Sequence, residues 1–321
     1  MNILVTGGLG LIGHHVVKRL QDQGHVVSIM DTQTNYGIIP QDEIEYLIGE
    51  RSKKISLEGY YNADISDVSN VDHVFNIEQP EIVIHMASFP RQKVVNANPA
   101  WGSRVMSEGL LTLLEASKKY DVRKFLYISS SMVYGDFKDD VREDYNCKPQ
   151  GQYGIMKYAG EWLVKDYTRR DNLVHTIIRP SAVYGPLDVE DRVIAKFMLT
   201  AMRGGTLNVN GPDETLDFTY VEDAADGVVA AALSSNTDNK TYNITKSHSR
   251  TLLDAANLAV KIAGKGTINA RSRDLDFPSR GALNIDAARR DFGFDPKVDV
   301  EEGFQKYYEW LSTSSYWQSK L

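Results

Sequence analysis

A tyrosine and a lysine four residues apart are the side chains of this sequence best suited to proton transfer. Tyr153 and Lys157 fall in "QYGIMKYAGEWL", whose helical spacing puts both on one face of a helix. An unperturbed tyrosine has a pKa of about 10, and we expect the lysine ammonium to lower it toward neutrality. The pair could then take a proton from a hydroxyl while hydride passes to a nicotinamide. Because surface helices often carry such a pair, its interpretation depends on the surrounding sequence.

A glycine-rich turn, "VTGGLGLIG", joins the first apolar run to the first amphipathic segment. Gly7, Gly10 and Gly13 permit a tight turn, a close approach of the backbone to a pyrophosphate, and close packing of a helix on a strand. The helix that follows begins near Leu11 and Ile12, where free N–H groups and the positive end of the helix dipole attract phosphates. The turn predicts a dinucleotide-binding site.

Two carboxylates follow at positions that suit an adenosine. Asp31 ends the second apolar run, about 20 residues after the turn, where a carboxylate can accept hydrogen bonds from the ribose hydroxyls. It would repel a 2′-phosphate and no arginine follows it directly, so NAD is favoured over NADP. Asp64 could bond the adenine amino group with Ile65 against the ring, although an aspartate before a helix is usually an N-cap.

Strand and helix patterns alternate through the first half of the chain. Strands are predicted at 2–6, 25–30, 57–62, 81–86, 124–129 and 174–179, and helices at 11–23, 67–78, 99–119 and 154–170. This alternation predicts an α/β fold with a Rossmann-type, doubly wound parallel sheet. The polar segment 32–56 is predicted to be irregular.

The alternation of strand and helix patterns ends after Pro180. Helices are predicted beyond it near 190–203, 222–234, 251–263 and 300–312. We expect an NAD-binding domain at 1–179 with a return segment near 213–245. A smaller C-terminal substrate-binding lobe would comprise 180–212 and 246–321.

The composition excludes several classes of function. The net charge of −7 and the absence of a basic stripe argue against nucleic acid as a partner. No apolar run approaches the roughly 20 residues that span a bilayer, and "MNILVTGG" enters a strand without room for a signal peptide. The single cysteine, Cys147, has no partner for a disulfide and no local metal ligand, so we expect a cytoplasmic protein without a metal. The C-terminal Ser319-Lys320-Leu321 matches a peroxisomal signal, but a chance match is the favoured interpretation.

The motifs together resemble the extended short-chain dehydrogenase/reductase family, in its nucleotide-sugar epimerase/dehydratase branch, which includes the UDP-glucose 4-epimerases. The resemblance covers essentially the whole chain, in family order, through "TGGLGLIG", "VIHMAS", "SSSMVYG", "YGIMK", "RPSAVYGP", "LDFTYVEDAA" and "LNIDAARRDFGFDP".

The resemblance implies roles for matching residues. Tyr153 would be the catalytic base, Lys157 would hold the nicotinamide ribose, and Ser130 would bond the same sugar oxygen as the tyrosine. Further cofactor contacts would come from Met86, Ala87, Pro180 and Val183. The helices at 99–119 and 154–170 resemble those that form a dimeric four-helix bundle in relatives, which implies a homodimer.

The residues after Ser130 bear on the reaction. Sugar 4,6-dehydratases of this branch carry an acidic residue there, whereas this chain has Ser131 and Met132, and methionine cannot transfer a proton. The resemblance therefore favours a nucleotide-sugar 4-epimerase that oxidises C4 transiently, with Ser131 at most a substrate contact. The alternatives are an NAD-dependent sugar dehydrogenase or ketoreductase and, less favoured, a 4,6-dehydratase or a non-catalytic dinucleotide sensor.

Three residues depart from the pattern of UDP-hexose epimerases. Met106 and Ala182 replace asparagines, and Leu216 replaces an arginine that clamps the diphosphate, which removes a strong kind of contact. Candidate cations for a nucleotide-diphosphate sugar are Arg91 with its neighbour Lys93, Arg192 and Arg280. An ordinary UDP-sugar, an unusual nucleotide sugar and a molecule without a diphosphate remain open as substrates.

Overall fold

A computed structural model describes residues 1–37 and 39–321 of the chain. Its central feature is a seven-stranded sheet in which every strand pairing is parallel. The strands of the described chain are β1 (Asn2–Thr6), β2 (Val26–Met30), β3 (Tyr60–Tyr61), β4 (Ile82–His85), β5 (Lys124–Ile128), β6 (Val174–Pro180), β7 (Val183–Tyr184), β8 (Thr206–Asn210), β9 (Thr215–Asp217), β10 (Thr219–Tyr220), β11 (Lys240–Ile244), β12 (Ser249–Thr251) and β13 (Thr267–Arg271). The order across the sheet is β11-β6-β5-β4-β1-β2-β3, which confirms the predicted α/β fold class.

Helices cover both faces of this sheet and build the C-terminal region. They are α1 (Leu11–Asp22), α2 (Gln41–Ser52), α3 (Val68–Glu78), α4 (Gln92–Ala97), α5 (Pro99–Ser103), α6 (Gly109–Lys119), α7 (Gly151–Asp171), α8 (Val193–Met202), α9 (Val221–Leu233), α10 (Leu252–Ala263), α11 (Asp286–Phe292), α12 (Val300–Thr313) and α13 (Ser315–Gln318). Short 3-10 turns cover Ser131–Tyr134 and Ser235–Thr237.

Two predicted elements need correction. The segment 32–56 is not irregular throughout, because it contains α2; residue 38 lies outside the described residues. The helix was missed because it is largely polar and buries little beyond Leu47 and Arg51. The predicted helix 99–119 is three pieces, since a π-helical turn, Arg104–Glu108, separates α5 from α6 and holds Met106.

Side-chain alternation along the strands divides the core into two layers. Leu4 points to the layer formed with α3, α6 and α7, whereas its neighbours Ile3 and Val5 point to the layer formed with α1, α9 and α11. Both layers are fully apolar in their centres, as expected for a parallel sheet covered on both faces.

A third apolar core lies in the C-terminal region. It joins α8, α10 and α12 around Phe304 and Trp317, both fully buried. Strand β11 and helix α9 belong to the main sheet and its covering layer, whereas β9 pairs with β12 outside that sheet. The exact domain limits expected from the sequence stay a prediction.

The parallel arrangement brings the predicted site segments to one edge. Thr6 pairs with both Met30 and His85, and Ile128 pairs with Ile178, so β2, β1, β4, β5 and β6 end side by side. The glycine turn, Asp31, Met86 and the three serines 129–131 follow these strand ends directly, and Pro180 is the last residue of β6. Ligands of open α/β sheets bind at this carboxyl edge.

Candidate active site

A cavity of about 980 Å³ opens at the carboxyl edge of the sheet, and the C-terminal region forms its opposite wall. Every residue that the sequence predicted for a site lines this cavity. These are Gly7, Gly10, Leu11, Ile12, Gly13, Asp31, Asp64, Ile65, Met86, Ala87, Arg91, Ser130, Ser131, Tyr153, Lys157, Pro180, Val183, Arg192 and Arg280. Their shared location does not by itself assign their roles, which remain predictions.

The glycine turn has the geometry that a close backbone approach requires. Gly7 has a φ of +72°, and a Cβ atom there would lie 2.7 Å from the backbone nitrogen of Ala87. The Gly10 N–H donates to the Gly7 carbonyl oxygen over 3.0 Å, and α1 begins at the next residue without a side-chain cap. Any side chain at Gly13 would collide with the Gly7 carbonyl. The turn therefore holds the N-terminus of α1 open toward the cavity, as a pyrophosphate site needs.

Asp31 is held by the backbone on both of its oxygens. Oδ2 accepts from the Leu9 N–H over 3.0 Å, and Oδ1 accepts from the Gln33 N–H over 2.8 Å. Burial raises the pKa of Asp31, while these two N–H groups lower it. Each oxygen keeps further lone-pair capacity for a ribose hydroxyl.

Asp64 is not the N-cap of the following helix. Its Oδ1 accepts from the N–H and hydroxyl of Ser66, both over 2.8 Å, whereas Asp67 caps α3. The side chain of Ile65 is buried against Gly109, where a Cβ atom would lie 2.6 Å from it. The carboxylate and the isoleucine thus form one corner of the cavity, consistent with the predicted adenine contact.

The reactive trio lines the wall formed by β5 and α7. Ser130 caps the 3-10 turn, accepting from the Met132 N–H over 3.2 Å, and its hydroxyl lies beside that of Tyr153. Lys157 donates to the Ile128 carbonyl oxygen over 2.7 Å, and its Nζ lies 5.9 Å from the centre of the Tyr153 ring. The structure therefore brings Ser130, Tyr153 and Lys157 together, as the sequence predicted.

The expected effect of the lysine on the tyrosine is wrong for the protein alone. Burial raises the pKa of Tyr153, while the Ser130 hydroxyl and the charge of Arg192 lower it. Burial also lowers the pKa of Lys157 to about 7, with Glu161 acting in the opposite direction. Desolvation is the largest cause of both pKa shifts, and residue spacing cannot reveal it.

A buried ion pair stands behind this wall. Both carboxylate oxygens of Glu161 accept from Arg179, over 2.8 and 2.6 Å, and the Ser129 hydroxyl donates to the same carboxylate over 2.6 Å. Arg179 also donates to the hydroxyl of Tyr134 over 2.8 Å. The network ties β5, β6 and α7 together directly beneath the trio.

The two residues that bear on the reaction class are buried in the same wall. The hydroxyls of Ser131 and Ser181 are hydrogen-bonded over 3.1 Å, and Met132 is 6% exposed with its side chain lining the cavity. No carboxylate stands at either position.

The cations on the opposite wall differ in how they are paired. Arg91 forms an ion pair with Asp191 over 2.8 Å, and Lys93 reaches the same carboxylate over 3.2 Å. Arg192 lies 3.7 Å from Asp188 and is the N-cap of α8. Arg280 makes no side-chain hydrogen bond or ion pair within the part of the chain that the structure describes. Burial, together with Arg192, lowers the pKa of Arg280 to about 10.

The cavity residues that were missed from the sequence include Tyr36, Arg51 and Asp188. Arg51 comes from α2, whose apolar residues Ile44, Leu47 and Ile48 have helical spacing and could have signalled the helix. Nothing in the sequence marks Asp188, which is brought in by a loop. Among residues 1–37 and 39–321, no group of three or more His, Cys, Asp or Glu side chains is placed to hold a metal ion. No helix in the same residues is long and apolar enough to cross a membrane.

Comparison with known proteins identifies the family. The model of the NAD dependent epimerase/dehydratase family matches residues 3–245, well over half of the chain. The chain belongs to this family. As a member it uses NAD, which agrees with the geometry of the glycine turn and Asp31.

Individual relatives of this epimerase/dehydratase family member carry different activities. A putative UDP-glucose 4-epimerase of Methanocaldococcus jannaschii is 29% identical, with 98% of this chain and 99% of the relative covered. A trifunctional UDP-glucose 4,6-dehydratase of Arabidopsis thaliana, with 3,5-epimerase and reductase activities, is 27% identical over 98% of this chain and 48% of its own length. The crystal structure of UDP-glucuronic acid 4-epimerase from Bacillus cereus, in complex with UDP-glucuronic acid and NAD, has a TM-score of 0.88 and 26% identity, covering 97% of this chain and 98% of that one. Similarity therefore identifies the family but does not select the reaction.

Proposed function

We propose that this protein is a nucleotide-sugar 4-epimerase that oxidises C4 of its substrate to a 4-keto sugar and returns the hydride to the opposite face. The observation that carries the proposal is one cavity lined by Ser130, Tyr153 and Lys157, by the glycine turn, and by Arg280, whose side chain has no partner in the described chain. Epimerase relatives of similar length over nearly the whole chain support it.

Tyr153 takes the proton of the 4-hydroxyl, and Ser130 holds the same oxygen. When bound, NAD⁺ would accept the C4 hydride and, once reduced, would return it. Lys157, held by the Ile128 carbonyl, bonds the nicotinamide ribose and stabilises the phenolate. On return of the hydride, Tyr153 gives the proton back to the new 4-hydroxyl, so no net oxidation occurs.

Arg280 and Arg192 bind the diphosphate of the substrate. The charge of Arg192 lowers the pKa of Arg280, and the Arg280 side chain has no partner in the described chain, so this end of the cavity favours an anion. The first turn of α8, including Lys196, lines the cavity beside Arg192 and adds N–H groups and the positive end of its dipole. Arg91 is already neutralised by Asp191 and is a weaker candidate, left for contacts with the sugar. These cations compensate for Leu216.

A dehydratase is disfavoured by the same wall. Elimination of water needs a second proton-transfer group next to the catalytic serine, and Ser131 and Met132 do not provide one. A dehydrogenase or ketoreductase, the second candidate, would use the same trio and would differ in releasing reduced cofactor.

The exposed apolar surface of α6 and α7 supports a homodimer through a four-helix bundle. Leu111, Ile155 and Trp162 are 37%, 52% and 59% exposed, which is unusual for large apolar side chains on one pair of helices. A second copy of the chain that packs its own α6 and α7 here would bury all three.

The test is a panel of UDP-sugars incubated with the purified holoprotein in deuterated and ordinary water. A 4-epimer should form without accumulation of NADH, and Tyr153→Phe should lower kcat by about 10²–10⁴. Tyr158→Phe, one turn further along α7, is the matched control and should retain activity. NADH released in step with substrate would indicate the dehydrogenase. Loss of water with deuterium at C5 would indicate the dehydratase, because the C5 proton is replaced from solvent whereas C6 receives the hydride. Full turnover by Tyr153→Phe would refute the catalytic assignment.

A further inference from the structure

Arg51 is a buried cation that joins the two halves of the cavity. It lies in the last turn of α2 and is 5% exposed. Its Nη1 donates to the Leu9 carbonyl oxygen over 3.0 Å, and its Nη2 donates to the Leu187 carbonyl oxygen over 2.6 Å. Leu9 lies in the glycine turn, whereas Leu187 lies in the loop that follows β7. One side chain therefore holds backbone from the cofactor side and from the substrate side.

The guanidinium of Arg51 has N–H groups left for a further partner. Its Nε is buried without a hydrogen-bond partner in the described residues, and the side chain lines the cavity with Gly10 and Asp31. Burial lowers the pKa of Arg51 to about 10, while Asp188, Asp31 and Glu43 raise it, so the group is cationic at neutral pH. None of these three carboxylates lies within ion-pair distance of the Arg51 guanidinium in the described chain. A buried cation held only by carbonyl groups favours a nearby anion.

On the cofactor side, Arg51 completes the fixation of Leu9. The Leu9 N–H donates to Asp31 and the Leu9 carbonyl accepts from Arg51, so both backbone polar groups of Leu9 are hydrogen-bonded. Leu9 immediately precedes Gly10, the residue before α1. The direction of the N–H groups at the start of α1 is thus set by Asp31 and Arg51 together.

On the substrate side, Arg51 holds a strained loop. Leu187 has a φ of +70°, a conformation that non-glycine residues rarely adopt and that surrounding contacts must impose. The same loop continues to Asp191, which pairs with Arg91, and to Arg192 at the start of α8. The position of the Leu187 carbonyl therefore influences where the proposed diphosphate ligands lie.

We propose that Arg51 is a positioning residue that couples the dinucleotide pyrophosphate site to the substrate diphosphate site by holding the Leu9 and Leu187 carbonyls at once. Occupation of either site fixes the Arg51 guanidinium and so favours the conformation that the other site needs. The inference rests on NAD at the glycine turn and, for the second ligand, on the proposed diphosphate site.

The role of Arg51 at the cofactor site is tested by the release of bound NAD from the holoprotein, chased with excess isotopically labelled NAD. Arg51→Met should release NAD about tenfold or more faster than the wild type, because a hydrogen-bonded charge is lost. Lys53→Met, at the C-cap of the same helix but with a 73% exposed side chain, should stay within about twofold. Unchanged release from Arg51→Met would overturn the inference, whatever the substrate proves to be.

Uridine diphosphate tests the coupling. It should slow NAD release from the wild type by about fivefold or more, in the usual range of coupling between sites. Arg51→Lys keeps the charge but cannot reach both carbonyls, so in this variant the slowing should fall below about twofold. Equal slowing in both proteins would overturn the proposal.

If the variants do not fold, amide hydrogen exchange in the wild-type holoprotein tests the coupling instead. Uridine diphosphate should then slow exchange at Leu9 and Gly10, and protection confined to the C-terminal wall would contradict the coupling. A wild type that does not bind uridine diphosphate by calorimetry would instead refute the proposed diphosphate site, while the NAD-release comparison still decides the role of Arg51.

Discussion

Replacing Glu161 with glutamine should destabilise the protein and change the titration of Lys157. The Glu161 carboxylate is fully buried, accepts two hydrogen bonds from Arg179 and one from Ser129, and is the partner of a guanidinium whose side chain is 3% exposed. Removing one partner of such a pair leaves a buried charge without compensation and costs about 3–5 kcal/mol. Because glutamine keeps the shape and one acceptor oxygen, we expect about 3 kcal/mol.

The free energy of unfolding is measured in urea by far-UV circular dichroism and tryptophan fluorescence, whose coincidence justifies a single value. Glu301→Gln is the matched control, since Glu301 pairs with Arg250 over 2.8 Å but its side chain is 58% exposed. That pair should contribute less than about 1 kcal/mol. The double variant Glu161→Gln/Arg179→Met should be more stable than Glu161→Gln alone, because it leaves no buried charge.

Glu161→Gln should also change the pKa of Lys157. Glu161 raises the pKa of Lys157, which burial lowers to about 7, so Glu161→Gln should lower that pKa further. The limb of the kcat/KM profile that requires the ammonium form should move to lower pH. A loss of under about 1 kcal/mol together with an unshifted pH profile would refute the view that this ion pair supports the catalytic wall.

Three further outcomes are expected. In the folded protein Lys157 loses its proton near pH 7 but in the unfolded chain only near its ordinary pKa of 10.5, so the free energy of unfolding should rise between these values by up to about 1.4 kcal/mol per pH unit. Lys157→Met should flatten that rise in urea titrations, and an unchanged slope would contradict the assigned burial. Arg280→Met should raise KM for a UDP-sugar about tenfold or more without loss of bound NAD; an unchanged KM would exclude it from the diphosphate site. Trp162→Glu combined with Ile155→Glu should convert a dimer to a monomer in light scattering, whereas a dimer that persists would place the interface elsewhere.

The sheet and the cofactor side could be predicted because short stretches of sequence determine them. A glycine turn between an apolar run and an amphipathic helix has few structural alternatives, and a parallel sheet brings every strand end to one edge. Knowing where β1, β2, β4, β5 and β6 end was therefore enough to place Gly7, Asp31, Met86, Ser130 and Pro180 in one cavity.

The wrong or missing predictions concern features that depend on burial in the folded protein rather than on residue spacing in the sequence. Helix α2 has few apolar residues because its contact with the rest of the protein is partly polar, through Arg51 and Glu43. The pKa values of Tyr153 and Lys157 depend on how much water the cavity wall excludes, and no local pattern reports that. The pairing of Arg91 with Asp191 joins segments 100 residues apart.

The contrast between the two cavity walls explains why the reaction class is easier to infer than the substrate. The catalytic wall stands on β5, β6 and α7, which the Glu161–Arg179 pair locks together in the core. The opposite wall is formed by loops and by α8. Asp191 neutralises Arg91 and Asp188 lies 3.7 Å from Arg192, whereas Arg280 has no side-chain partner in the described chain. With leucine at position 216, the proposed recognition of a diphosphate would fall to Arg192 and Arg280. If so, substrate choice would depend on the position of the 185–192 loop, which the proposed coupling through the bond from Arg51 to Leu187 would make sensitive to the cofactor.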